Sequence, residues 1–232
     1  MKMNRIYSSA LAAVLIAIAV GCMNNVVEEK NKIPPNDYSV VLEAVDAENP
    51  PSAEELELAV DILNARLTEK GYYGAEAEAA SDTEILVSMP ESDDNAETVE
   101  FLCRRGRLEF LDADGNVLMD GSSRYISGAY QRYGNPTNAR YNQYYVELAF
   151  TYEGRRAFVD ATAAAVARTG EGKNYITIAI DGVPQLSPSV NTVIDTDVCV
   201  ITGDYTVEDA SELAALINTR ELPFEIRPQE IK

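Results

Sequence analysis

The chain has 232 residues, of which 38 are acidic and 19 basic, and its formal net charge is −19. Because so acidic a surface is repelled by nucleic acid, we expect no nucleic-acid partner. The sequence has no histidine, which excludes a Ser-His-Asp triad, a Cys-His pair and a histidine-ligated metal, and we expect no enzyme, no cofactor and no metal site.

The N-terminus has the pattern of a signal peptide. Two basic residues precede an apolar run over residues 10–20, which is too short to span a bilayer but suits a signal-peptide core. The run ends in Ala19-Val20-Gly21-Cys22, which resembles the lipobox of bacterial lipoprotein precursors. The resemblance implies a signal peptide over residues 1–21 and lipidation of Cys22, hence an extracytoplasmic protein anchored by lipid to a bacterial membrane or cell envelope. An ordinary signal peptide, or a membrane anchor with an incidental cysteine, is the alternative.

Residues 22–37 are predicted to be the lipidated cysteine and a flexible tether, because they are polar and reach Pro34-Pro35. A flexible segment of this length reaches roughly 20 Å. The folded part is expected over residues 38–232. This part contains two cysteines, Cys103 and Cys199. An extracytoplasmic location permits a disulfide between them, but we favour the alternative of two buried free thiols.

The first half, residues 38–112, is predicted to contain four strands and two helices. Ser52 and Glu55 have capping-box spacing and begin a helix that ends at Gly71. A second helix is expected over residues 96–105, with Asp94 and Glu97 at capping spacing. The strands are expected over residues 39–45, 75–80, 84–89 and 107–111, the last as the closing strand. This βαββαβ order is the split pattern of ferredoxin-like domains.

The second half, residues 146–232, is predicted to repeat this order. Residues alternate between apolar and polar from Val146 to Phe150, and a helix follows from Thr151 to about Arg168. Further strands are expected over residues 176–180, 198–202 and 224–227, with a hairpin turn at Asp181-Gly182 and a helix capped by Thr206 and Asp209. We therefore predict an α+β fold of two ferredoxin-like (βαββαβ) halves, with antiparallel sheets and paired helices.

A tyrosine-rich connection over residues 113–145 joins the halves. Its part from residue 122 onward contains six of the 13 tyrosines and three arginines but no acid. Since tyrosine and arginine provide large amphipathic contact areas, this loop is a candidate contact surface. The alternative is that its rings only pack over the sheet. The candidate binding residues are Tyr125, Tyr130, Tyr133, Tyr141, Arg124, Arg132 and Arg140.

Two short motifs indicate ordinary turns. Asp112, Asp114 and Asn116 resemble a calcium loop, but Gly115 does not stand at the required sixth position, and a tight turn between strands is predicted. Gly170-Glu171-Gly172-Lys173 lacks the first glycine and the hydroxyl residue of a phosphate-binding loop, and a helix end is predicted.

Motifs in both halves resemble, in order, the first extracytoplasmic (periplasmic) region of SecD, the protein-export accessory subunit. The resemblance covers residues 38–226. In the second half the motifs are Phe150-Thr-Tyr-Glu153-Gly154, Ile178-Ala179-Ile180-Asp181-Gly182, Ile201-Thr202-Gly203-Asp204-Tyr205-Thr206 and Leu222-Pro223. In the first half they are Ile62-Leu63 with Arg66 and Gly71, Ile85-Leu86-Val87 with Pro90, and Leu108-Glu109-Phe110.

The sequence departs from SecD in lacking its first transmembrane helix, its Gly-Leu-Asp-Leu-x-Gly-Gly stretch and the helix bundle thought to couple proton flow to export. The resemblance therefore implies a standalone binding module that contacts exported polypeptides or the Sec translocon, without the proton-driven motor. The alternative is a structural or solute-binding lipoprotein of the cell envelope that reuses the fold.

Overall fold

The computed structural model describes residues 34–46, 48–136 and 141–229. The predicted signal peptide, Cys22, most of the predicted tether and Arg140 lie outside these described residues. Among the helices in the described part of the chain, none has the length and apolar composition needed to cross a membrane.

The described residues form eleven strands, four α-helices and one short 3-10 helix. The helices are α1 (Ala53–Glu69), α2 (Asn95–Cys103), α3 (Tyr152–Ala167) and α4 (Val207–Asn218), with the 3-10 helix at Thr169–Glu171. The strands are β1 (Tyr38–Ala44), β2 (Glu76–Ala79), β3 (Glu84–Met89), β4 (Leu108–Leu111), β5 (Val117–Asp120), β6 (Ile126–Gly134), β7 (Gln143–Phe150), β8 (Thr177–Ile180), β9 (Val183–Leu186), β10 (Val198–Tyr205) and β11 (Ile226–Pro228). Every strand pair is antiparallel. The predicted α+β class with antiparallel sheets is confirmed.

Three sheets are present in the described residues, with the strand orders β11-β1-β3-β2, β10-β7-β6 and β5-β4-β8-β9. The first has the order expected of a split βαββαβ unit, but β11 occupies the position predicted for β4. Ala44 pairs with Ile226 of β11, whereas Phe110 of β4 pairs with Ile178 of β8. The prediction that each half closes its own sheet is therefore wrong. Both closing strands alternate with the same period of two, and that period does not specify which sheet edge a strand joins.

Local signals gave most helix ends correctly. Ser52 with Glu55, and Thr206 with Asp209, form capping boxes in which each side chain bonds the other residue's backbone N–H. The predicted cap at Asp94 is wrong, because its side chain makes no capping hydrogen bond. Instead, the Asn95 side chain accepts from Ser92 and donates to the Pro90 carbonyl.

The predicted turns are also present. Asp181 and Gly182 have φ values of 52° and 75°, as the two central residues of a tight β-hairpin turn require. Asp112 Oδ1 accepts from the backbone N–H groups of Asp114 and Asn116, at 2.8 and 2.9 Å. This carboxylate therefore orders a turn between β4 and β5.

The C-terminal ends of α2 and α4 meet at a buried arginine. The Arg66 side chain is fully buried and forms no ion pair with a carboxylate of the described residues. Its guanidinium donates instead to four main-chain carbonyls and one hydroxyl: Leu102 O, Arg104 O, Arg105 O, Arg220 O and Thr219 Oγ1. Burial lowers the pKa of Arg66 to about 10, so the group stays charged at neutral pH. One cation thus hydrogen-bonds carbonyls at and just beyond two helix ends, of which Arg105 O also accepts from Leu222 N.

Candidate functional site

The tyrosine-rich segment forms a β-hairpin. The prediction of a loop is wrong here, because β6 pairs with β7 from Ile126 to Gly134. Tyrosine favours half-buried pleated surfaces, and the alternation of β7 continues without a break from Tyr144 into Val146 and Leu148. The tyrosines therefore lie on the two faces of a three-stranded sheet.

On one face of this sheet, an arginine lies between a tyrosine and a glutamate. Tyr130 is opposite Glu147 in the register, and Arg132 is opposite Tyr145. Arg132 Nη2 lies 3.1 Å from Glu147 Oε1, and its guanidinium carbon is 4.9 Å from the centroid of the Tyr130 ring. The charge of Arg132 is thus partly neutralised within the sheet, while the Tyr130 ring remains exposed.

On the other face, Tyr133 is opposite Tyr144, and their ring centroids are 4.8 Å apart. Tyr144 packs against the hydrophobic core, whereas Tyr133 is 62% exposed. Tyr141, just before β7, is 70% exposed. The structure therefore brings the predicted residues Tyr130, Arg132, Tyr133 and Tyr141 to one exposed hairpin.

Two predicted site residues lie at the opposite end of β6. Tyr125 is partly buried against the core, and Arg124 lies over its ring, with 5.1 Å between guanidinium carbon and centroid. The carbonyl of Tyr125 accepts from Thr151 N at 2.9 Å. Since a strand rises about 3.3 Å per residue, Tyr125 and Tyr133 are about 26 Å apart along β6. Tyr125 and Arg124 therefore do not share one cluster with the exposed tyrosines.

Gly154 allows the backbone of Tyr125 to lie close to the first turn of α3. A Cβ atom at Gly154 would lie 2.0 Å from the Tyr125 carbonyl oxygen. The first turn of α3 can approach the start of β6 only because residue 154 lacks a side chain. The motif that ends in Gly154 thus builds the junction between helix and hairpin.

Two asparagines that sequence reasoning did not identify cap open sheet edges with their side-chain amides. Asn218 Nδ2 donates to Ala129 O at 2.9 Å, and Ala129 N donates to Asn218 Oδ1 at 2.8 Å. Asn64 bonds both main-chain groups of Ala77 in the same way, at 3.0 and 2.8 Å. Each amide takes the place of a neighbouring strand. The only local signal is a weak helix former inside a helix, and it does not reveal the partner.

The chemistry of the hairpin is that of hydrogen bonding and aromatic contact. Within residues 34–46, 48–136 and 141–229, no group of three or more cysteine, aspartate or glutamate residues could hold a metal ion. Cys103 and Cys199 are free thiols. Burial raises the pKa of Cys103 to about 11 and that of Cys199 to about 12, so neither is an activated nucleophile.

Comparison with known proteins gives one consistent relationship. The family model described as the P1 head subdomain of SecDF matches residues 112–224. The SecD protein translocase subunit of Acidaminococcus fermentans is 27% identical over 193 residues, covering 82% of this chain and 43% of the relative. The SecDF subunit of Thermus thermophilus is 25% identical over 232 residues, covering 83% of this chain and 29% of the relative.

Solved structures agree in fold. SecDF in its super-membrane-facing form superposes with a TM-score of 0.70 at 23% identity, covering 83% of this chain and 29% of that one. A second chain, from a study of SecDF as a membrane component that enhances protein export, gives a TM-score of 0.68 at 23% identity. Here 84% of this chain and 99% of the other are covered.

The chain thus spans less than half the length of these SecD and SecDF relatives. The family model, the relatives and the solved structures together support the interpretation of this chain as a periplasmic region of the SecD type.

Proposed function

We propose that this chain is a lipid-anchored extracytoplasmic binding module that contacts exported polypeptides, or the translocon that releases them, through its tyrosine hairpin. The observation that carries the proposal is the exposure of Tyr130, Tyr133 and Tyr141 on one hairpin whose residues 122–145 contain no acid, in a protein of net charge −19.

The chemistry of the hairpin suits an unfolded partner. Exported chains vary in sequence, so their receptor needs adaptable apolar contact and hydrogen bonding in place of a shaped pocket. A tyrosine ring has an apolar body and a hydroxyl that both donates and accepts. It also loses little conformational entropy when it is ordered at an interface. Residues 122–145 contain no acid, and the adjacent Glu147 is paired with Arg132, which limits the local repulsion of acidic segments.

The relatives support the choice of partner. Those with similar sequences are protein translocase subunits, and SecDF is described as a component that enhances protein export. Because this chain overlaps only part of them, we transfer to it contact with polypeptides or with the translocon, and no further activity.

Site-specific photocrosslinking in growing cells tests this contact. A photoreactive residue at Tyr133 should capture newly exported chains or a translocon subunit. The matched control is Tyr73, which is 70% exposed but lies outside the hairpin. Stopping protein synthesis separates the two partners, since adducts to exported chains then disappear and adducts to a translocon subunit persist.

Substitution separates binding from packing. Changing Tyr130, Tyr133 and Tyr141 to serine should abolish capture by a probe at Asn142 and leave the melting temperature within a few degrees of the parent. Absence of adducts from the Tyr133 probe, or unfolding of the triple variant, would contradict a contact role.

The lipid anchor has its own test. Cys22 follows small residues at lipobox spacing, so the mature protein should begin at Cys22 and carry acyl chains, which hold a protein stably when two or more are present. Cys22→Ala should leave the precursor unprocessed. An intact mass that shows an unmodified N-terminus at another residue would refute lipidation.

A further inference from the structure

Strand β6 is an edge strand whose main-chain groups alternate between β7 and the open side. In an antiparallel ladder, successive residues turn their N–H and C=O groups alternately toward and away from the partner strand. Ala129 bonds the Asn218 side chain with both groups, and these groups therefore face away from β7. By the same alternation, Gln131 and Tyr133 also direct their main-chain groups away from β7.

The hydrogen bonds between β7 and β10 give the same alternation independently. Phe150 N donates across to Asp197 O at 2.8 Å, so the even-numbered residues of β7 bond toward β10. The odd-numbered residues Tyr145 and Glu147 consequently bond β6. Their partners in the register are Arg132 and Tyr130. Gln131 and Tyr133 are thus the open positions of β6.

Within the described part of the chain, no hydrogen bond uses the main-chain groups of Gln131 or Tyr133 on this open side. The other long edge of this sheet has a neighbour, because β9 lies alongside β10 and the Tyr205 hydroxyl donates to Gln185 Oε1 at 3.2 Å. On the edge strand β2, the side-chain amide of Asn64 hydrogen-bonds the main-chain groups of Ala77. Strand β6 therefore offers two consecutive open positions, ending where Asn218 covers Ala129.

We propose that this edge of β6 binds an extended segment of a polypeptide by strand addition, with main-chain hydrogen bonds at Gln131 and Tyr133. The inference rests on the proposed function and specifies how the polypeptide is held. An added strand exchanges up to four main-chain hydrogen bonds with two open positions. These bonds are independent of sequence, as a receptor for varied chains requires.

The surroundings define the chemistry of the bound segment. Tyr130 lies on one face of the sheet beside the open positions, and the Tyr133–Tyr144 pair lies on the other. Side chains of an added strand alternate between these faces and meet a ring on either one. Since Arg132 is paired with Glu147 beside the open positions, the edge carries little net charge and accepts neutral segments. A single extended segment of about four residues matches two open positions.

Amide hydrogen exchange tests the mode of binding. The probe is a synthetic 12-residue peptide that alternates threonine and valine, added to the folded protein. Strand addition should slow exchange at Gln131 and Tyr133 at least tenfold at saturation. The amides of Tyr130 and Arg132 already bond β7 and should change by less than twofold. Uniform slowing along β6, or no slowing, would overturn the inference.

A proline variant gives a second measurement. Gln131→Pro removes a donor from the open side but no bond to β7, so the sheet should tolerate it. Peptide affinity should fall more than tenfold, whereas Gln131→Thr, which keeps the donor, should stay within threefold. If Gln131→Pro fails to fold, the exchange pattern of the parent protein decides the matter.

The outcomes separate this inference from the proposed function. Capture of polypeptides by the Tyr133 probe, without alternating protection, retains the contact and refutes strand addition. Loss of all capture refutes both. Protection at Gln131 and Tyr133 that rises with protein concentration in the absence of peptide would assign the edge to a second copy of this chain and overturn the inference.

Discussion

Replacing Arg66 with methionine should destabilise the protein more than any other single arginine change among the described residues. Methionine keeps much of the apolar stem but removes every donor. The four carbonyls that Arg66 serves would then lack its N–H groups, and they lie where α2 and α4 end. Water cannot replace the guanidinium without opening the packing, because the side chain is fully buried.

The magnitude follows from these contacts. Arg105 O keeps its hydrogen bond from Leu222 N, so three carbonyls lose their donor. A buried acceptor that loses its donor costs about 1 kcal/mol or more, which gives a loss of about 3 kcal/mol. With a urea m-value of about 2 kcal/mol/M, the unfolding midpoint should fall by about 1.5 M. Arg66→Lys keeps a cation near the helix ends with three donors at most, and it should lose about 2 kcal/mol.

Urea unfolding followed by circular dichroism measures this loss, with Arg227→Met as the matched control. Arg227 Nη2 lies 2.8 Å from Glu43 Oε1, but its side chain is 63% exposed. Such a surface ion pair contributes at most about 1 kcal/mol. If Arg66→Met costs no more than Arg227→Met, the argument that Arg66 holds the two helix ends is wrong.

Three further predictions concern other parts of the structure. Gly154→Ala should lower the free energy of unfolding by about 3 kcal/mol, because the added Cβ meets the backbone of Tyr125. In the control Gly170→Ala the added Cβ has no atom within 4 Å, and the stability should not fall. Urea unfolding midpoints distinguish the two variants. Burial raises the pKa of both thiols, so alkylation of Cys103 and Cys199 at pH 8 should be at least about 100-fold slower in the folded protein than in urea. Mass spectrometry measures both rates, and equal rates would contradict the burial of the thiols. Capping hydrogen bonds hold the pKa of Asp209 below its ordinary value of 3.8, so the stabilisation by its carboxylate is complete above that pH and is lost as the pH falls below it. Asp209→Asn should therefore weaken the fall of the unfolding free energy at acidic pH. An unchanged pH dependence would exclude this contribution.

The sequence alone determined the local structure. Ser52 and Thr206 are predicted caps that the structure confirms, and the hairpin turn at Asp181-Gly182 is present. These features depend on residues within a few positions of one another, so their chemistry can be read directly from the sequence. The α+β class follows from the same local periodicities. Failures at this level were few, and the missing cap at Asp94 arose because a neighbouring asparagine offered the chain different hydrogen bonds.

Partners distant in sequence were decided only by the tertiary structure. Strands β4 and β11 have the expected alternation, yet each joins a sheet outside its own half, because alternation fixes the faces of a strand and leaves its neighbour open. The tyrosine segment, predicted as a loop, forms a strand that pairs with β7. Its rings lie on opposite faces of the sheet, and this placement depends on the assembled sheet. The amide of Asn218 reaches Ala129 across 89 positions, and Arg66 reaches Arg220 across 154. Such contacts depend on where whole elements pack, and therefore the open edge of β6 became visible only once the fold was assembled.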